Sequence, residues 1–342
     1  MNKMIAILFV LLIVLLAAYI YLEKRESGQA PAPAADKGKQ TEQHAREPGL
    51  KAALILPGTT NDNSWNQSAY EQFSALCKTM GVFFSFQENV KDKDVEGVIR
   101  DYAHQGFHII FCESFNYGDA ALAVAKEFPD TFFAVATHFK TADNVAVYDW
   151  PAHQGGYLAG YLAALLSTSR KIGFVGGYEV PDIIRIARGY EAGAKAAVKD
   201  VDVMIVYTGS WDDAVKGRES AESLLDMQCD VIAQGADGPG VAALKAAAKR
   251  GKYAIGYVAD QNVFAPQWVV TSVVLRKTVA YKRILQDVMD NRFTGKAYMF
   301  DMLAGGVDLA PIRNCPADVV QRVQEMKEKI LAKEIDVPEI VK

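Results

Sequence analysis

KAALILPGTTNDNSWNQSAYEQFSALCKTM (Lys51–Met80) decides the fold class. Ala52–Leu56 is an unbroken apolar run, as in a strand covered on both faces. A polar loop follows, and Ser64–Met80 then adopts a helical pattern. The same unit recurs along the chain. Further strands are predicted at Val82–Phe86, His108–Cys112, Thr131–Ala136 and Val145–Tyr148, with helices at Asp92–Gln105 and Asp119–Glu127 between them. A second series places strands at Lys171–Val175, Val203–Tyr207, Val231–Ala233 and Tyr253–Tyr257. Its helices are predicted at Asp182–Lys199, Asp212–Met227 and Pro239–Arg250. Apolar strands alternating with amphipathic helices predict an α/β fold built on parallel sheets.

The Gly- and Ala-rich segment His153–Leu166 reads as a tightly packed helix leading from one half to the other. Trp268–Val274, Thr278–Asn291, a short strand near Tyr298–Leu303 and a helix from Ala317 complete the chain. The expected organisation is two Rossmann-like lobes with a hinge and an interlobe cleft. Lobe 1 comprises residues 50–152 and 276–342, and lobe 2 residues 153–275. Ligands of open α/β sheets sit beyond the carboxyl ends of the strands, and two such ends would face each other here.

Residues 1–25 read as a membrane anchor or signal segment, and 26–49 as a flexible linker of Gly, Pro, Ala, Gln and charge. Met4–Leu22 is an uncharged run of 19 residues. A signal-peptide core is normally about 7–15 residues and a spanning helix about 20, so the length favours an uncleaved anchor. The alternative is cleavage near Ala30–Ala35. Lys3 on one side and Lys24 and Arg25 on the other barely discriminate orientation. An N-terminal segment of this kind is the common route out, so an extracytoplasmic body is expected. No cysteine precedes Cys77, so no lipid attachment site is present in this stretch.

Half of the 342 residues are hydrophobic and 23% are charged, an ordinary globular composition. Residues 1–50 hold six of the 37 Lys/Arg and five of the 41 Asp/Glu, which leaves 31 against 36, or −5, for the body. A mildly acidic body lacks the clustered cations that nucleic acid requires. Cys77, Cys112, Cys229 and Cys315 show no paired spacing and read as isolated small core residues.

The loops after strands carry the candidate binding groups. In the first, Asn61, Asp62 and Ser64 offer helix caps, a helix N-terminus there presents N–H groups, and Asn66 lies in the first turn. Trp65 is either a core residue under that cap or an aromatic wall for a flat ligand. Trp211, followed by Asp212 and Asp213, again opens a helix after a strand. Two indoles on opposite lobes would sandwich a planar ring, and offset stacking contributes about 0.5–1.5 kcal/mol beyond area burial. Glu113, Ser114, Tyr178, Asp237 and Asp260 are polar groups at strand ends, each readable equally as a ligand contact or as a cap or hinge contact.

Catalytic signatures are absent: there is no GxSxG, HExxH, GxxxxGK[ST] or GxGxxG. His104, His108, His138 and His153 have no metal-ligand spacing, and His44 lies in the linker. The reading is a binding protein with no cofactor and no metal. An enzyme would have only Glu113 and Asp237 to work with.

NDNSWNQSAYEQF (Asn61–Phe73), KTADNVAVYDWPAHQGGYLAGYLAALLS (Lys140–Ser167), KIGFVGG (Lys171–Gly177), the GSWDD and KGRESAESLL elements of Gly209–Leu225, and GKYAIGYVADQ (Gly251–Gln261) together resemble the basic membrane protein family. These are the PnrA-like substrate-binding proteins of ABC transporters, and the likeness runs in order over about residues 51–310. The resemblance implies a type I periplasmic-binding-protein fold, purine nucleosides or related small-molecule ligands, and ABC permease partners. It also implies that Trp65 and Trp211 stack on the base from either side.

Three positions depart from the family's pattern. Leu56 stands where nucleoside binders carry an acid at the end of the first strand. Val258 replaces the first acid of the I-G-x-D-x-D-Q motif, and Leu275, beside Arg276, replaces a lysine. Those polar residues are the expected partners of ribose hydroxyls, and an unpaired buried hydroxyl costs about 1–3 kcal/mol. A purine base such as adenine is therefore expected to bind in preference to its nucleoside. The other reading is a membrane-tethered ligand sensor or regulator using the same clamp.

Overall fold

The computed structural model describes residues 39–41 and 49–341. The apolar run 4–22 and nearly all of the linker lie outside them. Among the described residues no helix is long and apolar enough to cross a membrane.

A first sheet has the strand order β1-β3-β2-β4-β5-β6-β12. Its strands are β1 (Lys39–Thr41), β2 (Lys51–Ile55), β3 (Phe83–Gln87), β4 (Ile109–Cys112), β5 (Phe132–Ala136), β6 (Val145–Asp149) and β12 (Ala297–Met299). From β3 to β12 every pairing is parallel. Helices α1 (Trp65–Met80), α2 (Val95–His104) and α3 (Gly118–Ala125) alternate with these strands along the chain.

The second sheet runs β13-β11-β10-β9-β7-β8. It comprises β7 (Lys171–Gly176), β8 (Asp202–Tyr207), β9 (Val231–Gly235), β10 (Tyr253–Val258), β11 (Val269–Leu275) and β13 (Val307–Leu309). Interleaved are α4 (His153–Leu166), α5 (Pro181–Ala197), α6 (Ala214–Asp226) and α7 (Asp237–Lys249), followed by α8 (Lys277–Met289) and α9 (Ala317–Leu331). The unbroken apolar runs sit where both sheet faces are covered: Ala52–Leu56 and Ile109–Cys112 are fully buried. The fold class is α/β with two Rossmann-like lobes.

The chain passes between the sheets three times: from β6 to α4, from β11 to α8, and from β12 to β13. Helix α8 packs on α1 beside the first sheet. The segment assigned by sequence wholly to the first lobe is divided by the structure. β12 joins the first sheet, whereas β13 pairs antiparallel with β11 in the second and α9 packs on α4. A three-residue strand carries too short a pattern to reveal its partner in advance.

Helices α4 and α5 pack through glycine. A Cβ on Gly160 would lie 1.8 Å from the Tyr190 carbonyl oxygen, and one on Gly193 would lie 1.9 Å from that of Tyr157. Backbones approach this closely only where no side chain intervenes, and Leu158, Leu162, Ala187 and Tyr190 close the seam. At the first crossing Arg185, on α5 and buried, donates to Asp149 Oδ1 at 2.9 Å and to the Trp150 carbonyl at 3.3 Å. It also reaches Glu339 Oε1 at 3.0 Å, tying the C-terminal segment to the same point. The four cysteines are free thiols, three of them buried.

Gly160→Ala forces two backbones apart and is expected to destabilise the protein by about 1–3 kcal/mol. Gly97, on α2 with open space around it, is the control. There alanine is expected to stabilise by about 0.5–1 kcal/mol. Urea unfolding of the two variants measures both.

Candidate ligand-binding site

The strand ends meet at the junction of the two sheets, and the groups gathered there form one connected network. Glu113 follows β4 with no solvent exposure. Its Oε1 accepts hydrogen bonds from the Tyr148 and Tyr281 hydroxyls, each at 2.5 Å. Its Oε2 accepts from Lys277 Nζ at 2.8 Å. Lys277, the first residue of α8, is equally inaccessible. Its ammonium lies 3.2 Å from the centre of the Trp65 indole and 5.2 Å from that of Trp150. The two indoles meet edge to face at 5.9 Å. The Trp65 ring N–H donates to the Glu113 carbonyl at 2.9 Å.

Burial dominates the electrostatics. It drives the Tyr148 and Tyr281 hydroxyls well above their usual range, and the Glu113 charge pushes them further. Burial also lowers the Lys277 ammonium, opposed chiefly by Glu113. A buried ion pair survives when further hydrogen bonds satisfy its atoms, and the two tyrosines do this for the carboxylate.

The second lobe reaches this network through Asp237 and Gln261. Trp65 N–H donates to Asp237 Oδ1 at 3.4 Å, and Gln261 Nε2 donates to the Asn63 carbonyl at 3.1 Å. Asp237 opens α7 with φ 48°, in the left-handed region. Burial and then the Asp62 charge hold its carboxyl up at about 7, opposed by the Ser64 side chain, the Trp65 N–H and Lys277. Gln261, nearly inaccessible, has its Oε1 accepting from Gln234 Nε2 at 2.7 Å and from the Tyr257 N–H at 3.1 Å.

The candidates from sequence separate into those at this junction and those engaged elsewhere. Trp65, Glu113 and Asp237 come together, with Ser64 buried beside them. Asp62 caps α1, its carboxylate accepting from the N–H groups of Ser64, Asn66 and Gln67. The helix N-terminus expected to offer free donors is thereby occupied by its own side chain. Asn66 braces the loop, its Oδ1 accepting from the Gly58 N–H and its Nδ2 donating to Asp62. Asn61 is exposed, and Ser114 accepts from the Asn116 N–H at a short helical turn.

Trp211 does not open a helix. α6 begins at Ala214 with Asp213 as its side-chain cap, and Trp211 lies in the preceding turn, 38% exposed. Its ring contacts that of Tyr178 at 5.4 Å. Asp260 is exposed and paired with Arg313 at 2.7 Å, while its neighbour Gln261 faces the junction.

Sequence reasoning passed over Lys277, Trp150, Tyr148 and Tyr281. Tyr148 and Tyr281 sit inside β6 and α8, Trp150 follows β6 directly, and Lys277 reads as a surface residue of a helix start. The one available signal is the DW pair at the end of β6, where Asp149 and Trp150 mark a crossing.

Residues 50–341 match the family model described as ABC transporter substrate-binding protein PnrA-like. The chain belongs to that family. It is 32% identical over 296 residues to a purine-binding protein of Brucella abortus (strain 2308), covering 86% of this chain and 84% of the relative. It is 26% identical over 261 residues to the transcriptional activator protein med of Bacillus subtilis (strain 168), covering 76% and 81%. A solute-binding protein of an ABC transporter system from Aeropyrum pernix K1 superposes with a TM-score of 0.76 at 23% identity, covering 85% of this chain and 94% of that one. The shared fold is that of the periplasmic solute-binding proteins.

Two predictions follow from the network's burial. Glu113→Gln and Lys277→Met are each expected to destabilise by about 3–5 kcal/mol, because each strands a buried partner, and the double variant by far less than their sum. A double-mutant cycle in urea measures the coupling. For Asp237 the folded value near 7 lies above the ordinary 3.8. Its contribution to stability is full below about pH 4 and is lost as pH rises towards 7. Relative to wild type, Asp237→Asn is therefore expected to lose less stability between those limits, read as urea midpoints at both pH values.

Proposed function

We propose that this protein is the extracytoplasmic substrate-binding component of an ABC transporter, and that it holds a purine-type ligand between its lobes. The observation that carries this reading is Trp65. Its indole lies at the lobe junction, its ring N–H fixed on Glu113 of the first lobe and its backbone N–H on Asp237 of the second. An aromatic face flanked by buried acids suits a flat heterocycle with ring N–H and amine donors. The family membership and the Brucella relative's name support the same ligand class.

A free base is the preferred ligand in this reading. Leu56, Val258 and Leu275, standing where sugar-binding polar groups would be, are all buried among apolar neighbours. Val258 also has φ 74°, strained for a β-branched residue at the end of a cleft strand. Ribose hydroxyls directed there would lose their hydrogen bonds to water without gaining others. The clamp needs no chemistry: ligand bound to one lobe recruits the other, and the closed form engages the permease. The apolar run 4–22 would hold the body near that permease.

The likeness to the Bacillus subtilis activator favours one alternative, a membrane-tethered sensor that reports ligand to another protein. Co-purification from membranes separates the two: a permease and its ATPase recovered with the protein support transport.

Isothermal titration of the body (residues 49–342), unfolded and refolded to remove carried-over ligand, tests the ligand class. Adenine is expected to bind at least about tenfold more tightly than adenosine, as one stranded hydroxyl would cause. Adenosine binding as tightly as adenine would discard the preference and keep the clamp.

A further inference from the structure

The geometry points to Lys277 as a built-in occupant of the stacking position, which a ligand reaches only by displacing it. This inference rests on the purine reading above. The ammonium lies 3.2 Å from the centre of the Trp65 ring and covers one face of the indole. At that distance no third group fits between them. The side chain has no solvent exposure, and its charge is matched by Glu113 at 2.8 Å. The two indoles, Glu113 and the second lobe's Asp237 together form a cage for a cation, and the chain supplies that cation itself.

Lys277 stands two residues beyond β11, where the chain passes from the second sheet to α8. The neighbouring Leu275 carbonyl accepts from Gln72 Nε2 at 3.1 Å, and the Thr278 N–H donates to Gln72 Oε1 at 2.9 Å. The backbone on both sides of the lysine is thus fastened to α1. Withdrawal of the ammonium therefore proceeds by rotation of the side chain, without movement of α8.

Displacement leaves Glu113 buried with two tyrosine donors and one vacated acceptor. A ligand that succeeds must return a donor to that oxygen, which selects rings presenting a ring N–H or an exocyclic amine there over rings presenting only acceptors. Lys277 also weakens binding, because only the fraction of molecules with the side chain withdrawn accepts a ring, and apparent affinity falls by that fraction.

Titration of adenine into wild type, Lys277→Met and Lys277→Gln tests this. The glutamine variant retains a neutral donor towards Glu113 and serves if the methionine variant does not fold. The expected result is a dissociation constant at least about tenfold lower in the variants, as when fewer than about one molecule in ten has the lysine withdrawn. Adenine binding to wild type with equal or weaker binding to the variants would overturn the inference and leave the purine reading intact. No binding of any purine base or nucleoside to any of the three would remove the purine reading and the inference with it.

Discussion

The buried pair of Lys277 and Glu113 is the constraint around which the first lobe is arranged. Two unit charges inaccessible to water require near-complete compensation. The chain provides it from four elements: the Glu113 backbone position after β4, the Tyr148 hydroxyl from β6, the Tyr281 hydroxyl from α8, and the Trp65 indole from α1. Each partner must arrive in register for the others to be satisfied. The aromatic cluster of Phe73, Phe111, Tyr148 and Tyr281, with ring centres 5.1–6.0 Å apart, provides the dry surroundings and holds the phenols in place.

That arrangement links stability to function. In the proposed reading, the lysine that closes the charge balance is also the group a stacked ligand would compete with for the Trp65 ring. Beside Trp65 the second lobe contributes a 3.4 Å hydrogen bond to Asp237 and one from Gln261. Elsewhere α4 and α5 pack closely through their glycine seam, and Arg185 fastens α5 to the first crossing.

The element pattern was legible because its physics is local. Apolar runs such as Ala52–Leu56 and amphipathic stretches such as Ser64–Met80 declare their burial through spacing alone, and the structure places strands and helices within a few residues of them. Trp65, Glu113 and Asp237 were also legible, since strand ends in α/β sheets converge. Trp211 was misplaced by two residues because Asp212 and Asp213 are both plausible caps, and the structure uses only Asp213 for α6. Asp260 and Gln261 are adjacent in sequence yet point apart, one to Arg313 at the surface and one to the cleft.

By itself, then, the sequence determined the alternating α/β architecture, the two lobes and the loops that surround the cleft, all of which follow from periodicities within 20 residues. Only the tertiary structure decided what fills the site. Glu113 and Lys277 are 164 residues apart, and neither carries a local signal of burial. A charged side chain reads as solvated until folding removes the water. Whether it then finds a partner depends on distant elements meeting, and no local pattern encodes that.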